Sequence, residues 1–399
     1  MKESALYKVL SVKPFLFLWL AEVFSQIAMN MINFVLIIVA FNLTQSSTAV
    51  SGIVLSFTIP AILFGVLAGV YTDRWNKKKI LFITNIIRAI LLVFLMMWHQ
   101  NLFAIYALSF AVSIATQFFI PAETPMIPLL VRKEFLLSAN ALFGMGLYGS
   151  ILIAYALSGP VLIFLGDSHT FGFLAVLFLT ASFFVTLIRY KNAVLDGPRN
   201  GAGELTIIGE IKNAAHLIAK TGKVFHSLFL LIMVQLLILI LAVIGPGFAQ
   251  QILGITVKEF PALFVTPAAI GMVVGAVVLS HFFHNHPKDK MVSVGIALSG
   301  IVMFLLPYSS RISLVLAAFL LGVANALIFV PSNTIVQEET SDELRGKIYG
   351  FLNTMVAMCS IIPVIMVGRL ADTFGVASVL TGIAIVIFLI GAYRLFFRR

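Results

Sequence analysis

The stretch GVLAGVYTDRWNKKK, residues 65–79, changes within a few positions from apolar, glycine-spaced sequence to densely charged sequence. Gly65 and Gly69 have the GxxxG spacing that lets two membrane helices approach closely. The charged residues that follow mark the point where such a helix leaves a bilayer, and lysines favour the cytoplasmic side. We interpret Asn76 as a left-handed residue in the tight turn. The stretch therefore predicts a packed transmembrane helix that ends in a short cytoplasmic loop.

The whole chain has the composition of a membrane protein. Its 399 residues are 61% hydrophobic and 11% charged, with a mean hydropathy of +1.08. Soluble globular chains carry roughly 45–50% apolar and about 25% charged residues. Apolar runs of about 20 residues predict membrane spans. They lie near 14–41, 48–71, 79–97, 101–126, 137–165, 169–189, 226–252, 260–282, 290–307, 311–336, 343–368 and 375–394. The expected fold is an all-α membrane protein with twelve transmembrane helices in two pseudo-symmetric six-helix bundles.

A polar interval divides these spans into two sets of six. We expect an N-terminal bundle at 1–189, a cytoplasmic linker at 190–225 and a C-terminal bundle at 226–399. Within the linker, apolar residues recur at helical spacing, which predicts an amphipathic helix on the inner membrane surface. A plain tether with incidental periodicity is the alternative.

Positive charge follows the loops that an N-inside topology places in the cytoplasm. These segments hold 22 of the 26 lysines and arginines, whereas the opposite side holds Lys258, Arg311 and Arg369. The net charge of +10 therefore reports membrane orientation and not a nucleic-acid partner. Both termini are expected in the cytoplasm. The first apolar run is too long for a signal peptide, so we interpret it as the first span.

Two pairs of segments suggest an internal duplication. FIPAETP (119–125) and FVPSNTI (329–335) share Phe-x-Pro and a threonine, and GVLAG (65–69) and GMVVG (271–275) share GxxxG. Their offsets of 210 and 206 residues are nearly equal and follow the same order of spans. Such duplication is typical of alternating-access transporters, whose site lies between the repeats. The alternative is that GxxxG is simply common in packed membrane helices.

The G-x-x-x-D-R-x-x-x-K-K pattern of residues 69–79 resembles the loop-two signature of the major facilitator superfamily, with Asn76 in place of the usual glycine. Within that superfamily, the sequence resembles the macrolide-efflux-like branch of drug:proton antiporters. It is carried by FFIPAETPMIPLLV (118–131), SANAL (138–142), FVPSNTIVQEETSDELRGKIYGFLN (329–353) and GRLADTFG (368–375). This resemblance implies a bacterial inner-membrane exporter of lipophilic compounds driven by the proton gradient.

The same resemblance implies a cytoplasmic gate, because in that family this segment latches the cytoplasmic ends of the two halves. The gate candidates are Gly65, Gly69, Asp73, Arg74, Lys78, Lys79 and Arg88. The fifth-span antiporter motif is only partly present. Its remnant Gly159-Pro160 is a candidate helix bend, and the loss of its last glycines weakens the inference of antiport.

The first span carries a polar stripe of candidate cavity residues. Glu22, Gln26, Asn30 and Asn33 are spaced 4, 4 and 3 residues apart and share one helix face about 80° wide. Glu22 is the acidic member, and a carboxylate inside a membrane span is a functional candidate because burying it is costly. We interpret Glu22 as a proton-coupling residue. The alternative is a structural glutamate that reaches the cytoplasmic rim. Exporters of the family often carry an aspartate near the position of Asn30, and its absence here either shifts proton coupling to Glu22 or implies weaker coupling.

Two more ionisable residues lie within predicted spans. Glu123 either pairs with Arg74 or Arg88 in the gate or binds protons itself. Arg88 needs a partner in a low-dielectric site, or else it snorkels toward the headgroups. Further cavity candidates are isolated amides that could equally form interhelical hydrogen bonds: Gln117, Gln235 and Asn325.

Several chemistries have no support in the sequence. The seven histidines have no metal spacing, and no Walker, GxSxG or HExxH motif occurs, so no cofactor, metal or enzymatic activity is expected. We therefore expect a secondary active transporter that exports a small lipophilic neutral or cationic compound in exchange for protons. The alternatives are an importer or facilitator of a small metabolite and a lysolipid flippase-like protein. The expected partners are the lipid bilayer, the substrate and protons, with the chain acting as a monomer.

Overall fold

The computed structural model describes residues 5–189, 222–283, 286–340 and 342–397, and these form long helices joined by short loops. A short helix, Ala5–Leu10, precedes the long ones. The long helices are α1 (Lys13–Thr44), α2 (Ser47–Arg74), α3 (Lys77–Trp98), α4 (Leu102–Glu123), α5 (Leu136–Leu187), α6 (Gly222–Gly247), α7 (Thr266–Phe282), α8 (Lys288–Leu305), α9 (Arg311–Glu338), α10 (Asp342–Phe374) and α11 (Val376–Phe397). Two π-helical turns, Phe248–Ile252 and Pro261–Val265, flank the loop between α6 and α7.

The helices confirm the predicted all-α membrane fold. Within the described residues, eleven helical segments are long and apolar enough to cross a membrane. One of them contains α5, whose 52 residues are broken at Gly166, where φ is 72° and ψ is 174°. That backbone conformation favours glycine, because residues with a side chain rarely adopt a positive φ. The two parts of α5 match the predicted spans 137–165 and 169–189, so the helices are consistent with twelve crossings.

The turn between α2 and α3 corrects one expectation. Asn76 has φ −66° and ψ 110°, so it is extended and the left-handed conformation predicted for it is wrong. Its side chain instead accepts a hydrogen bond from the Lys79 backbone N–H at 3.1 Å. Because α3 starts at the next residue, its first N–H groups need an acceptor, and an N-cap asparagine supplies one.

The chain forms two compact units. The first comprises Met1–Val39 and Ser56–Glu204, and the second comprises Ala40–Leu55 and Leu205–Arg399. The tip of the α1–α2 hairpin is therefore part of the second unit, although most of both helices belongs to the first. The domain limits predicted from sequence stay a prediction. The amphipathic helix was predicted within 190–225, and of this segment the structure describes only the residues from 222 onward, where α6 begins.

In the first unit, the core is formed where α1 packs beside α4 and α5. Phe15, Leu18, Phe119 and Leu142 are buried there in one apolar cluster. The Trp19 indole N–H donates a hydrogen bond to the Leu142 carbonyl oxygen at 2.8 Å, so the polar atom of this aromatic side chain is satisfied. This packing sets the rotation of α1 about its own axis, and therefore the direction in which its predicted polar stripe faces.

In the second unit, the GxxxG of α7 is a close-packing motif. A β-carbon on Gly271 would collide with the Phe319 carbonyl of α9, and one on Gly275 would lie 2.9 Å from the β-carbon of Ala326. Gly322 of α9 packs just as closely against the Ala268 carbonyl. The absence of side chains at these glycines lets the two backbones approach.

The matching GxxxG of the first half is packed differently. In the described part of the first unit, a β-carbon on Gly69 would meet nothing within 4 Å. One on Gly65 would have only Gln117 Oε1 nearby, at 3.7 Å. The two motifs share a sequence pattern, but the close helix approach expected at Gly65 and Gly69 is absent from the first unit in this structure.

Candidate functional site

Three charged side chains meet inside the first unit. Glu22 of α1 and Arg88 of α3 are each 1% exposed, and Glu123 at the end of α4 is 4% exposed. Glu123 interacts electrostatically with both Glu22 and Arg88. We call these three residues the buried charge cluster. Ionisable groups buried in a membrane helix bundle are costly, so they are the first candidates for a functional site.

Arg88 is held by aromatic rings and by its own helix. Its guanidinium carbon lies 4.3 Å from the ring centroid of Phe119 and 4.7 Å from that of Phe178. Its Nη2 donates to Asn85 Oδ1 at 2.9 Å, and its Nε donates to the Thr84 carbonyl at 3.3 Å. Arg88 is therefore buried within the unit and does not extend to the headgroups.

The carboxyl groups of the cluster have fewer partners. In the part of the chain that the structure describes, both carboxylate oxygens of Glu22 and Oε1 of Glu123 are buried without accepting a hydrogen bond. A buried charge that lacks donors is costly unless a proton or a cation neutralises it. Glu22 is therefore the member of the cluster whose charge is least compensated.

The charge balance of the cluster allows the exchange of one proton. One arginine and two carboxylates carry a net charge of −1 when all three are ionised. The cluster becomes neutral when one carboxyl group binds a proton. This arrangement can alternate between two charge states without moving a side chain out of the protein.

The polar stripe of α1 lies in the same unit as the cluster. The Asn30 side-chain amide donates to the Gln26 carbonyl at 2.8 Å, and Asn33 Oδ1 is buried without a described donor. Gln117 of α4 donates to the Ser113 carbonyl at 3.5 Å, a weak bond within its own helix. The amides of the first half therefore retain hydrogen-bonding capacity for another group.

Two cavity candidates belong to the second unit. Asn325 of α9 is buried, and in the described residues its Oδ1 accepts no hydrogen bond. Gln235 of α6 is exposed. Whether either contributes to a substrate cavity stays a prediction.

The gate candidates divide into two groups. The backbone of Asp73 and Arg74 ends α2, and their side chains lie outside the described part of the chain. Lys78, by contrast, has a defined role: its Nζ donates to the carbonyls of Thr186 at 2.8 Å and Ile188 at 2.7 Å. A cation that binds the last carbonyls of a helix stabilises its C-terminus, here that of α5. Lys79 is exposed, and the gate as a whole stays a prediction.

The predicted bend at Gly159 and Pro160 is not where α5 breaks. Both residues keep helical backbone angles, and the departure from them within described α5 is at Gly166. Gly166 lies near the middle of α5, where one membrane span ends and the next begins. A role for Gly159-Pro160 in bending during transport stays a prediction.

Sequence reasoning missed the residues that hold Arg88. Asn85 lies three residues before Arg88, so it shares its helix face, and this spacing was a usable signal. Phe119 and Phe178 come from other helices, and nothing in the sequence distinguishes them among 36 phenylalanines.

The family follows from comparison with known proteins. The model of the Major Facilitator Superfamily matches residues 18–364. The chain therefore belongs to the major facilitator superfamily, and it is a multi-pass membrane transporter and not an enzyme. This confirms the family that the loop-two signature indicated.

Relatives and solved structures agree with this assignment. The chain is 23% identical over 375 residues to the uncharacterized MFS-type transporter YfiS of Bacillus subtilis (strain 168), covering 86% of this chain and 83% of YfiS. It is 21% identical over 367 residues to macrolide efflux protein A of Streptococcus pyogenes, covering 90% of this chain and 89% of the relative. The crystal structure of the nucleoside transporter NupG has the same fold, with a TM-score of 0.77, 13% identity and coverage of 96% of this chain and 100% of NupG.

Proposed function

We propose that this transporter exports small lipophilic compounds, neutral or cationic, in exchange for protons by alternating access. The observation that carries the proposal is Glu22. It is a buried carboxyl group on the polar stripe of α1, with both oxygens lacking a described donor and with Glu123 as its acidic neighbour. Such a group can bind a proton in one facing state and release it in the other.

For a cationic substrate, the exchange works by competition with the proton for the single excess negative charge of the cluster. With both carboxyl groups ionised, the buried charge cluster has an excess negative charge that attracts either a proton or a cationic substrate. A proton that arrives from outside binds to a carboxylate oxygen and neutralises the cluster, which lowers its affinity for the cation. Opening to the cytoplasm then releases the proton and restores the negative charge. One proton per cycle is the stoichiometry that this balance supports.

The substrate class follows from the groups that the first unit offers. The guanidinium of Arg88 is already engaged by two aromatic rings, Asn85 and the field of Glu123, so it is a poor partner for an anionic substrate. Gln26, Asn30 and Asn33 suit a weakly polar guest that is recognised with low specificity. The name of macrolide efflux protein A, a relative along 90% of this chain, accords with export of organic compounds.

The arrangement in the membrane is part of the proposal. The excess of lysine and arginine in alternate loops supports a bacterial inner-membrane location with both termini and the 190–225 linker in the cytoplasm. In this orientation Asp73, Arg74 and the neighbouring lysines form the cytoplasmic gate, and Glu22 lies toward the cytoplasmic half of α1. The two bundles, 1–189 and 226–399, act as a monomer.

Transport by purified protein tests the proposal. Liposomes with an acidic lumen and with the membrane potential clamped by potassium and valinomycin are supplied with ethidium and with a panel of neutral lipophilic dyes. Ethidium is a permanent cation, so it is not trapped by protonation. We expect protein-dependent accumulation against the substrate gradient that stops when the pH difference is collapsed.

Other outcomes separate the alternatives. If no compound of the panel accumulates, or if flux is equal with and without the pH difference, proton-coupled export is wrong. Downhill flux of a small polar metabolite alone would indicate a facilitator. Movement of a fluorescent lysolipid between leaflets would indicate a flippase-like activity. Protein-free liposomes are the control for each measurement.

A further inference from the structure

An open groove runs between α7 and α9 on the surface of the second unit. One wall is formed by Leu263, in the π-helical turn before α7, and by Pro267 and Ile270 of α7. The other wall is formed by side chains at the start of α9, from Arg311 to Phe319. The groove has a volume of about 690 Å³, and pockets for small molecules have roughly 300–1,000 Å³. It is therefore large enough to hold a lipid chain.

The groove has the length of one leaflet of a bilayer. Arg311 is the first residue of α9, and Phe319 lies eight residues further along the helix. At about 1.5 Å per residue this distance is about 12 Å, and one leaflet contributes half of the roughly 30 Å hydrocarbon core. The groove ends where the backbones of α7 and α9 meet, because a β-carbon on Gly271 would collide with the Phe319 carbonyl. Since α9 is long and apolar enough to cross a membrane, its first residue lies near the headgroups and the groove extends from there into the hydrocarbon.

The walls of the groove are apolar and accessible. Ile312 and Leu316 of α9 are 87% and 59% exposed, and Ile270 of α7 is 47% exposed. Exposed apolar side chains of this kind contact lipid chains in a bilayer. Because lipid chains are as apolar as leucine, a chain gains little free energy by leaving the bulk bilayer for the groove. Selectivity among lipids must therefore come from a polar group at the mouth of the groove.

Arg311 supplies this polar group. Its side chain is 64% exposed, and its Nη1 lies 3.9 Å from Glu259 Oε1 in a loose ion pair. The other oxygen of Glu259 accepts hydrogen bonds from the backbone N–H and the hydroxyl of Thr256. A guanidinium has five N–H donors in a planar fork that matches a phosphate group. One long contact with a carboxylate oxygen uses few of these donors, so Arg311 can bind a phosphate as well.

The distribution of charge favours an anionic ligand at this mouth. In the proposed orientation, the outer side of the protein carries three positive residues, Lys258, Arg311 and Arg369. Lys258 directly precedes Glu259, the residue that pairs with Arg311, so two of the three belong to the segments that meet here. Two positive charges and one negative charge leave an excess positive charge. This excess attracts an anionic headgroup more strongly than a zwitterionic one.

We propose that the groove between α7 and α9 binds one anionic phospholipid. Its phosphate lies on Arg311, and one of its acyl chains lies along Ile312, Leu316 and Ile270. In the proposed orientation this lipid belongs to the outer leaflet. The site is built from the second unit alone, and the inference does not rest on export, on proton coupling or on the transported compound.

Fluorescence quenching at the groove tests the site in a bilayer. In a Cys359→Ser background, a cysteine replaces Ile312 and carries a bimane fluorophore. The purified transporter is reconstituted with phosphatidylglycerol or phosphatidylcholine, each with a nitroxide near the top of one chain, and the quenching gives the relative affinity of the two lipids beside the label. We expect phosphatidylglycerol to be preferred about fivefold, the effect of one arginine on an anionic lipid. Arg311→Gln should reduce the ratio to about one, whereas Arg311→Lys should keep most of it.

Two matched controls separate the groove from the general attraction of a cationic protein. The same label at Val386, a 57% exposed residue of α11, should show no preference with or without Arg311. Arg132→Gln, which removes an exposed arginine in an equally loose pair with Glu134 at 3.7 Å, should leave the ratio at Ile312 unchanged.

A further variant tests the acyl-chain part of the site. Val315→Trp fills the groove and keeps Arg311, so it should also lower the preference, and it carries the test if Arg311→Gln fails to fold. An unchanged ratio in folded Arg311→Gln, or in Val315→Trp, would overturn the proposal. Recovery of the fluorescence on addition of tetraphenylphosphonium, a lipophilic cation, would also overturn it, because the groove would then bind the transported compound.

Discussion

The guanidinium of Arg88 lies over the ring of Phe119, with its central carbon 4.3 Å from the ring centroid. The ring of Phe178 is 4.7 Å away, so two aromatic side chains hold a charge that is 1% exposed. Helices α3, α4 and α5 are joined at this point. Arg88 is therefore a buried positive charge that interacts with the carboxyl group of Glu123.

Arg88→Lys should destabilise the transporter although it keeps the charge. An ammonium group cannot contact both rings and also donate to Asn85 in the geometry of a planar guanidinium. Loss of these contacts should cost about 1–3 kcal/mol of unfolding free energy. Thermal unfolding of the purified protein, monitored by gel filtration of heated samples, measures the change. Arg132→Lys is the control, because the Arg132 side chain is 84% exposed, and an equal effect in both variants would contradict the prediction.

Asp73→Asn should impair transport more than folding. The Gly-x-x-x-Asp-Arg pattern at the end of α2 predicts that Asp73 closes the cytoplasmic gate, so its neutralisation should slow the cycle. Membrane abundance should stay near that of the wild type, whereas the rate of ethidium export falls at least about tenfold, the effect of losing one charged hydrogen bond. Unchanged export at normal abundance rules out the gate.

A cysteine at position 200 should be protected in intact cells. The charge asymmetry of the loops places the linker in the cytoplasm, so Asn200→Cys in a Cys359→Ser background should not react with a membrane-impermeant maleimide. A cysteine at Thr256, in the loop between α6 and α7, should react and serves as the positive control. Labelling at position 200 before the cells are lysed would reverse the topology.

Stability should depend on pH through Glu259. Hydrogen bonds from the Thr256 backbone N–H and hydroxyl, both 2.9 Å, hold the pKa of Glu259 below its usual value of 4.5. A carboxyl group with a lowered pKa stabilises the fold fully above its unfolded pKa and loses this contribution as pH falls through the folded value. The melting temperature of Glu259→Gln should therefore lie below that of the wild type at neutral pH. The two curves should converge under strongly acidic conditions, and a constant difference would contradict the assignment.

The spans could be predicted from sequence because hydropathy is a local property. The span predicted at 79–97 is the helix Lys77–Trp98, and the split between 165 and 169 falls at the Gly166 break. The spacing of the polar stripe also predicted that Glu22 faces inward. Asn76 was interpreted wrongly because asparagine suits both a left-handed turn and an N-cap, and the immediate start of α3 favours the cap.

Contacts between distant segments could not be predicted in this way. The hydrogen bond between Ser46 and Asp372 joins residues 326 positions apart, and no local pattern marks Asp372 as a capping residue. The GxxxG of Gly65 and Gly69 has the same sequence signature as that of Gly271 and Gly275, yet only the second is closely packed within its unit among the described residues. A spacing rule identifies a surface that can be approached closely, but not the state in which the approach occurs.

Glu22→Gln should separate substrate movement from the proton gradient. The amide keeps the size and hydrogen-bonding capacity of the side chain but cannot change its charge, so the buried charge cluster would consist of Arg88 and Glu123 alone. These two charges balance, which removes the alternation on which exchange depends.

In liposomes with a pH difference of one unit, the wild type should sustain up to about tenfold accumulation of ethidium, because one unit corresponds to about 1.36 kcal/mol per proton. The variant, whose cluster stays neutral, should bind ethidium more weakly and should equilibrate it across the membrane without accumulation. Glu134→Gln, at an exposed carboxyl group, should accumulate ethidium like the wild type. If Glu22→Gln concentrates ethidium at the wild-type rate, Glu22 is structural, and Glu123→Gln becomes the variant that decides which carboxyl group carries the proton.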